Sequence, residues 1–331
     1  VTTRAATAVA GTNIALVKYW GKRDAALNLP AAGSLSLTLA DLGTRTRVAF
    51  VDGLAADRVV LNGAVADAAV AARVSKFLDR VRARAKVDAR ADVTTENSVP
   101  TAAGLASSAS GFAALALAAA RAARLDASAA ELSELARLGS GSAARSIFGG
   151  FVEMAAGERA DGRDAVAAPV AGGEAFGDVR LVVAVTSAGA KAIGSTAAME
   201  LTARTSPFYA SWIAGVPADL VEARAAIGAR DLRRLGVVAE RSALRMHASA
   251  MAADPGILYW NPATLAAIEA VRALRAAGTA AYFTIDAGPH VKVLCAAADA
   301  PAVEAALSRA PGVLRTVVAS PGPGARIVEA T

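Results

Sequence analysis

Residues 109–125, ASGFAALALAAARAARL, are apolar on nearly every side when wound at 3.6 residues per turn, and this run constrains the fold more than any other. A helix without a polar face cannot lie on a surface, so other elements must enclose it. The chain is long enough to do so: 331 residues allow two domains or one large one. Hydrophobic residues at 55% against 19% charged residues exclude a disordered, highly charged chain. The mean hydropathy of +0.41 comes mostly from Ala and Val. The most apolar stretch, residues 112–120, stops at Arg121, short of the roughly 20 residues that span a bilayer. No transmembrane helix is expected. Arg4 and the small residues up to Ala10 lack a Leu-rich h-region and read as a strand entering the fold.

Cys295 is the only cysteine, which excludes an intrachain disulfide. With only His247 and His290 there is no Cys/His cluster for structural zinc, and a reducing cytoplasm suits the chain. A net charge of +6 and a pI near 9.8 favour anionic partners. No dense basic run interleaves with aromatics, so nucleic acid is unsupported, whereas small phosphorylated molecules suit a basic cleft.

Period-2 alternation over residues 34–40 and again over 44–51 predicts an antiparallel pair of strands. Val74, Phe77, Leu78 and Val81 recur at helical spacing and predict a surface helix over residues 70–86. A short β-prone stretch, 92–97, then runs into the loop Pro100-Thr101-Ala102-Ala103-Gly104-Leu105-Ala106-Ser107-Ser108. Ser128 and Glu131 form a capping box for the next helix, which Gly139 should close. The β-branched run 179–187 predicts a central strand, with a domain boundary just before it near Gly177. Helices are expected from Ser195, from Pro217 and from Pro262, the last with Asn261 as N-cap. Strands 281–285 and 291–296 should flank a turn at Asp286-Ala-Gly-Pro.

Four blocks carry candidate chemistry. In the loop 100–108, small residues let backbone N–H groups approach an anion, Ser107 and Ser108 add hydroxyls, and the helix that follows turns its positive end to the same place. That is a phosphate cradle without a Walker lysine. The run Gly139-Ser-Gly141-Ser-Ala-Ala144 matches a dinucleotide fingerprint formally, but it follows a helix where a Rossmann turn must follow a strand. Its Ser140, Ser142 and Arg145 instead suit an oxyanion, through hydroxyl donors and a bidentate guanidinium. Lys18-Tyr19-Trp20-Gly21-Lys22 places two scarce lysines beside an aromatic pair. Asp286 is a carboxylate delivered at a strand end into a Gly/Pro turn.

Together these blocks resemble the diphosphomevalonate (mevalonate 5-diphosphate) decarboxylase family of the GHMP kinase superfamily. The matching stretches are NIALVKYWGKRDAALNLP, PTAAGLASSASGFAALA, GSGSAARSIFGGFVEM, STAAMELTARTSPFY and AYFTIDAGPH, in family order over nearly the whole chain. The loop 100–108 is shared by the superfamily, whereas KYWGKRD, GSGSxxRS and DAGP select the decarboxylase branch. The resemblance implies an α+β GHMP kinase fold. Residues 1–177 would form an ATP-binding domain like ribosomal protein S5 domain 2, and residues 178–331 a ferredoxin-like C-terminal domain.

It also implies residue roles. Asp286, Lys18 and Arg145 match catalytic positions. Tyr19, Trp20, Gly21, Lys22, Arg73, Ser140, Gly141, Ser142, Ala143, Ala144, Arg145, Ser195, Thr196 and Met199 match the substrate set. Pro100, Ala103, Gly104, Leu105, Ala106, Ser107 and Ser108 match the ATP set, with Ser107 or Ser108 near Mg2+. The implied activity is a cytoplasmic, homodimeric lyase that uses ATP to convert diphosphomevalonate into isopentenyl diphosphate for isoprenoid and lipid synthesis, with no membrane or nucleic-acid partner. A 5-phosphomevalonate decarboxylase, a 3-kinase of the same superfamily, an ordinary GHMP kinase and a non-enzymatic nucleotide-binding module are the alternatives. Two departures from the family pattern are Ala32-Gly33, where Asn-Ser is usual, and Ala144, where Cys is usual.

Overall fold

A computed structural model describes residues 4–98, 107–189 and 191–330. The chain begins with β1 (Arg4–Val17), the small hairpin β2 (Lys22–Asp24) and β3 (Leu29–Pro30), and the long β4 (Ser34–Val51). It continues through β5 (Arg58–Leu61), β6 (Ala64–Val65), helix α1 (Ala68–Ala85), β7 (Arg90–Asn97), helices α2 (Ser107–Ala122), α3 (Ala129–Gly139) and α4 (Ala143–Ser146), then β8 (Phe151–Met154) and β9 (Ala167–Pro169). The remainder is β10 (Val179–Val185), helices α5 (Ser195–Thr205), α6 (Tyr209–Gly228), α7 (Leu232–Met251) and α8 (Pro262–Ala276), the hairpin β11 (Tyr282–Ile285) and β12 (Val291–Ala296), helix α9 (Ala300–Arg309), β13 (Arg315–Ala319) and β14 (Arg326–Ala330).

Residues 34–51 are one strand, not the expected hairpin. β1 is long enough to pair with both halves of β4, and a bulge between Gly11 and Asn13 lets β4 bend and continue where a turn looked plausible. The bend needs close backbones: a Cβ on Gly43 would lie 2.3 Å from the Ala10 carbonyl oxygen. Past it, β4 exchanges neighbours, pairing with β8 through its first part and with β7 through its second. The larger sheet runs β14-β1-β4-β7-β5-β6, so the last strand returns to the first. The smaller sheet runs β11-β12-β10-β13, every neighbouring pair antiparallel, with β10 inside it as the apolar run 179–187 predicts.

The Ala-rich helix α2 is enclosed as its sequence demands. Ala113, Ala116 and Ala119 are wholly buried, and α2 shares a core with Ala8, Val48 and Val93 of the larger sheet and with Phe77 and Leu78 of α1. A second core joins the other face of that sheet, through Ile14, Leu16, Leu35 and Leu37, to α6, α7 and Leu181 and Leu294 of the smaller sheet. Helices α8 and α9 cover the smaller sheet's far face, where Phe283 and Val293 meet Val271, Val303 and Leu307. The helix starts at Ser128 and Asn261 are capped as expected. Pro217, by contrast, lies inside α6, which begins eight residues earlier at Tyr209. No helix among the described residues is long and apolar enough to cross a membrane.

Helix α7 reaches the β11–β12 hairpin at Gly236, where a Cβ would stand 2.1 Å from Cγ of the buried Tyr282. Gly236→Ala should raise helix propensity by up to about 1 kcal/mol, yet overpacking of this kind costs roughly 1–3 kcal/mol. Net destabilisation of up to about 2 kcal/mol is expected in urea unfolding. A gain in stability would mean that the Tyr282 ring can leave its place.

Candidate active site

The second core brings the end of β1, the turn after β11, the α3–α4 connection and the start of α5 around one cleft of about 840 Å3. Lys18 and Asp286 meet in it from opposite sheets, 268 residues apart, with Nζ 2.6 Å from Oδ1. Lys18 also donates to the Ala15 carbonyl at 2.8 Å. A second lysine, Lys292 of β12, approaches the other oxygen, Oδ2, at 3.1 Å. Both lysines are 2% exposed, whereas the Asp286 side chain is 31% exposed toward the cleft. Burial pushes the Asp286 carboxyl up, but the two ammoniums outweigh it and hold the group well below the usual carboxylate range. Burial brings Lys18 down to about 8, against the opposing pull of Asp286.

The turn that presents Asp286 is held from behind. Thr186 donates its backbone N–H to His290 Nδ1 at 3.1 Å, while the Thr186 and Thr264 hydroxyls both donate to the Pro289 carbonyl. A ring nitrogen that accepts is unprotonated, in keeping with the buried His290, whose pKa burial lowers to about 4. His247 on α7 sits 3.3 Å through Nε2 from the Ile285 carbonyl, so its imidazole fixes the backbone just before Asp286.

Arg145 stands in α4 and is 2% exposed. Its guanidinium donates to Asn13 Oδ1 from Nε and Nη2, at 3.3 and 3.1 Å, to Ser36 Oγ at 2.9 Å and to Ser34 Oγ at 2.5 Å. Asn13 in turn donates to the Ser142 carbonyl and to Ser146 Oγ. Burial lowers the Arg145 pKa to about 10, which leaves it charged at neutral pH. Every described hydrogen bond from this buried cation therefore ends on a neutral oxygen, an arrangement that favours binding an anion.

The other sequence-predicted residues fall into three groups. Tyr19, Trp20, Lys22, Arg73, Ser108, Ser140, Gly141, Ser142, Ser195, Thr196 and Met199 line the cleft with Lys18, Arg145 and Asp286. Gly21, Ala143 and Ala144 do not line it; they serve the wall. A Cβ on Gly21, which sits at φ +102°, would strike the Tyr209 hydroxyl, and Ala143 and Ala144 are wholly buried behind Ser142. Gly141 likewise leaves room for Tyr19, whose hydroxyl oxygen would be 2.2 Å from a Cβ there. That buried hydroxyl has no hydrogen-bond partner among the described residues, and burial holds its pKa up. Pro100, Ala103, Gly104, Leu105 and Ala106 lie outside the described residues. Ser107 begins α2, and the neighbouring Ser108 Oγ is 3.5 Å from Ser140 Oγ.

Several residues in or behind the cleft are given no role by the motif reading. Asn13, Ser34 and Ser36 look like ordinary strand residues until Arg145 is placed against them. Lys191 donates to Ser195 Oγ at 2.8 Å and to the Ala287 carbonyl, tying the start of α5 to the Asp286 turn. A signal was present in lysine scarcity. The chain has six lysines; Lys18, Lys22, Lys76 and Lys191 line the cleft and Lys292 stands behind Asp286.

A two-sheet α+β fold with a cleft lined by basic residues at the start of a buried helix is that of the GHMP kinases, and two family matches place the chain more narrowly. Residues 10–167 match the diphosphomevalonate decarboxylase-like N-terminal domain, and residues 181–316 the mevalonate 5-diphosphate decarboxylase C-terminal domain. The chain belongs to the diphosphomevalonate decarboxylase family. It is 40% identical to the diphosphomevalonate decarboxylase of Aspergillus fumigatus and 37% identical to that of Homo sapiens, each over 87% of this chain and 76% of the relative. The mevalonate diphosphate decarboxylase of Staphylococcus aureus superposes with a TM-score of 0.95 at 39% identity, covering 99% of both chains. The protein MDDEF in complex with MVAPP, AMPPCP and magnesium superposes at 0.93, with 40% identity over 99% of this chain and 100% of that one.

Removing the Asn13 carboxamide strips two N–H···O contacts from a buried guanidinium. Asn13→Ala should cost about 1–3 kcal/mol of stability, the penalty for leaving buried donors unpaired. Urea denaturation measures it; an unchanged midpoint would mean that Arg145 does not depend on Asn13.

Proposed function

We propose that this chain catalyses the ATP-dependent decarboxylation of (R)-5-diphosphomevalonate to isopentenyl diphosphate, releasing ADP, phosphate and CO2. The observation that carries the reading is one cleft holding two opposed devices: Arg145, buried with no ion pair among the described residues, and Asp286, an anion flanked by two ammoniums. Relatives named for this reaction over most of their length, and the MDDEF complex with MVAPP, AMPPCP and magnesium, support it.

In the first step the γ-phosphoryl group leaves ADP for the tertiary 3-hydroxyl oxygen, and the hydroxyl proton passes to solvent as the new O–P bond forms. Asp286 accepts a hydrogen bond from that hydroxyl and orients it. A carboxylate held so far below its ordinary range is a weak base, so orientation and charge are its contribution. In the second step the C3–O bond breaks with phosphate as leaving group, the electrons of the C–C bond to the carboxylate become the new double bond, and CO2 departs. Positive charge growing at C3 is offset by Asp286, while Arg145 holds the departing carboxylate in line.

Lys22, Arg73, Ser140 and Ser142, with Tyr19 beside them, offer the cations and donors a diphosphate requires, and Ser195, Thr196 and Met199 close the opposite side. ATP phosphates belong at the start of α2, with Ser107 or Ser108 beside Mg2+. Mg2+ takes oxygen ligands, and ATP phosphate oxygens would be its chief carriers there. Bound there, Mg2+ supplies charge neutralisation for the transferred phosphoryl group. A cytoplasmic homodimer completes the reading: a lone, buried Cys295 asks for no oxidising compartment, and the dimer is what the family resemblance implies.

Purified protein with MgATP should release CO2 and ADP in equal amounts with the 5-diphosphate. The 5-monophosphate and mevalonate should give neither at a comparable rate. ADP without CO2 would identify a 3-kinase, and CO2 from the monophosphate the other decarboxylase. Asp286→Asn should keep nucleotide affinity and lose at least ~10²-fold in turnover; near-normal turnover would remove Asp286 from the mechanism. Arg145→Lys keeps the charge but not the planar fork that spans Asn13, Ser34 and Ser36, so decarboxylation should fall at least ~10-fold while ATP affinity holds, checked by calorimetry on the same preparation. Full CO2 release from folded Arg145→Lys would leave the carboxylate without its partner.

A further inference from the structure

Strand β12 carries a residue that its packing does not call for. Lys292 lies in register with Thr284 of β11 and Val183 of β10, between Val291 and Val293, and all five are buried. A valine would fill such a position, and a buried ammonium is costly unless it is paired. Among the described residues the ion pair of Lys292 is with Asp286, which it contacts at Oδ2 while Lys18 occupies Oδ1.

The two lysines hold Asp286 from different bodies. Lys292 belongs to the β11–β12 hairpin that presents Asp286 and keeps its place relative to it. Lys18 comes from β1 of the other sheet. The remaining charged or titratable groups facing Asp286 are Arg145 from α4, Lys191 before α5 and His247 from α7. Lys18 and Arg145 also line the cleft where an anionic substrate must sit.

We propose that Lys292 is a positioning residue, the standing counter-ion that keeps Asp286 ionised and aimed so that the Lys18 ammonium is free to turn from Asp286 toward the anionic substrate. Without Lys292, Lys18 must remain with Asp286 or leave it unbalanced. The proposal rests on the decarboxylase reading and adds to it a division of labour between two lysines.

The test compares wild type, Lys292→Met and Lys292→Arg across pH 6–10 with MgATP and the 5-diphosphate, following ADP and CO2. Removing a like charge from beside Lys18, which burial brings to about 8, favours its protonated form. In Lys292→Met the basic limb of kcat/KM should move up by at least about half a pH unit, and kcat should fall at least ~10-fold with substrate KM within a few-fold. Lys292→Arg should hold the limb and restore most of kcat. If Lys292→Met does not fold, Lys292→Gln, which keeps a donor for Oδ2 without the charge, gives the same readouts. A limb that stays in place, or a kcat within twofold of wild type, overturns the proposal, because a residue that only fills the core would lower stability without moving the limb. Wild type that forms ADP without CO2 would instead overturn the decarboxylase reading, and the limb can still be read on ADP.

Discussion

The ion pair between Lys18 and Asp286 is the contact on which the geometry of the cleft depends. One partner ends the first strand of the larger sheet and the other ends a hairpin of the smaller sheet, so 2.6 Å between them requires both sheets and the helices between them to be in place. The shared core of Ile14, Leu16, Leu35 and Leu37 with α6, α7, Leu181 and Leu294 supplies that alignment. It is made of close-packed side chains, which resist shear far better than a water-filled seam would. Thr284 reinforces it by donating its hydroxyl to the Ala15 carbonyl, the same carbonyl that takes a hydrogen bond from Lys18.

Around that pair the cleft is organised by an excess of buried positive charge. Lys18, Arg145 and Lys292 are each 2% exposed, and Asp286 is the anion that two of them share. An interior of this kind is costly to form, since neutral oxygens of Asn13, Ser34 and Ser36 only partly replace lost hydration around Arg145. A polyanionic ligand relieves that cost. The free energy of ligand binding is thereby coupled to the electrostatics that would serve a charge-separating reaction.

The departures from the family pattern sit in the wall. A Cβ on Gly33 would reach 2.8 Å from Leu220 Cδ1, so the space that a serine would need at this position is already taken by α6. Ala144 is wholly buried, and its carbonyl accepts a hydrogen bond from Ser133, which in turn accepts one from the Ala167 backbone. These contacts hold α4, and with it Arg145, against α3 and β9. The residue at 144 therefore acts on the site through packing.

The sequence by itself determined the local elements and the chemical inventory. The all-apolar run of α2, the capping boxes at Ser128 and Asn261, and the apolar strand β10 follow from propensity, caps and periodicity, which are properties of neighbouring residues. The motif residues Lys18, Ser140, Ser142, Arg145 and Asp286 were legible because their blocks together resemble one family's pattern; of the five, only Lys18, a scarce lysine beside an aromatic pair, stands out in its local setting. Tertiary structure decided what local pattern could not. The expected hairpin at 34–51 became one bent strand because β1 is long enough to pair with both halves, and Pro217 fell inside a helix whose packing outweighs one missing N–H. Asn13, Ser34 and Ser36 became the cradle of Arg145, and Lys292 a partner of Asp286, only when strands distant in sequence were laid side by side. Hydrogen bonds and ion pairs act over about 3 Å in space, and no pattern of neighbours along the chain records which distant residues will come within that reach.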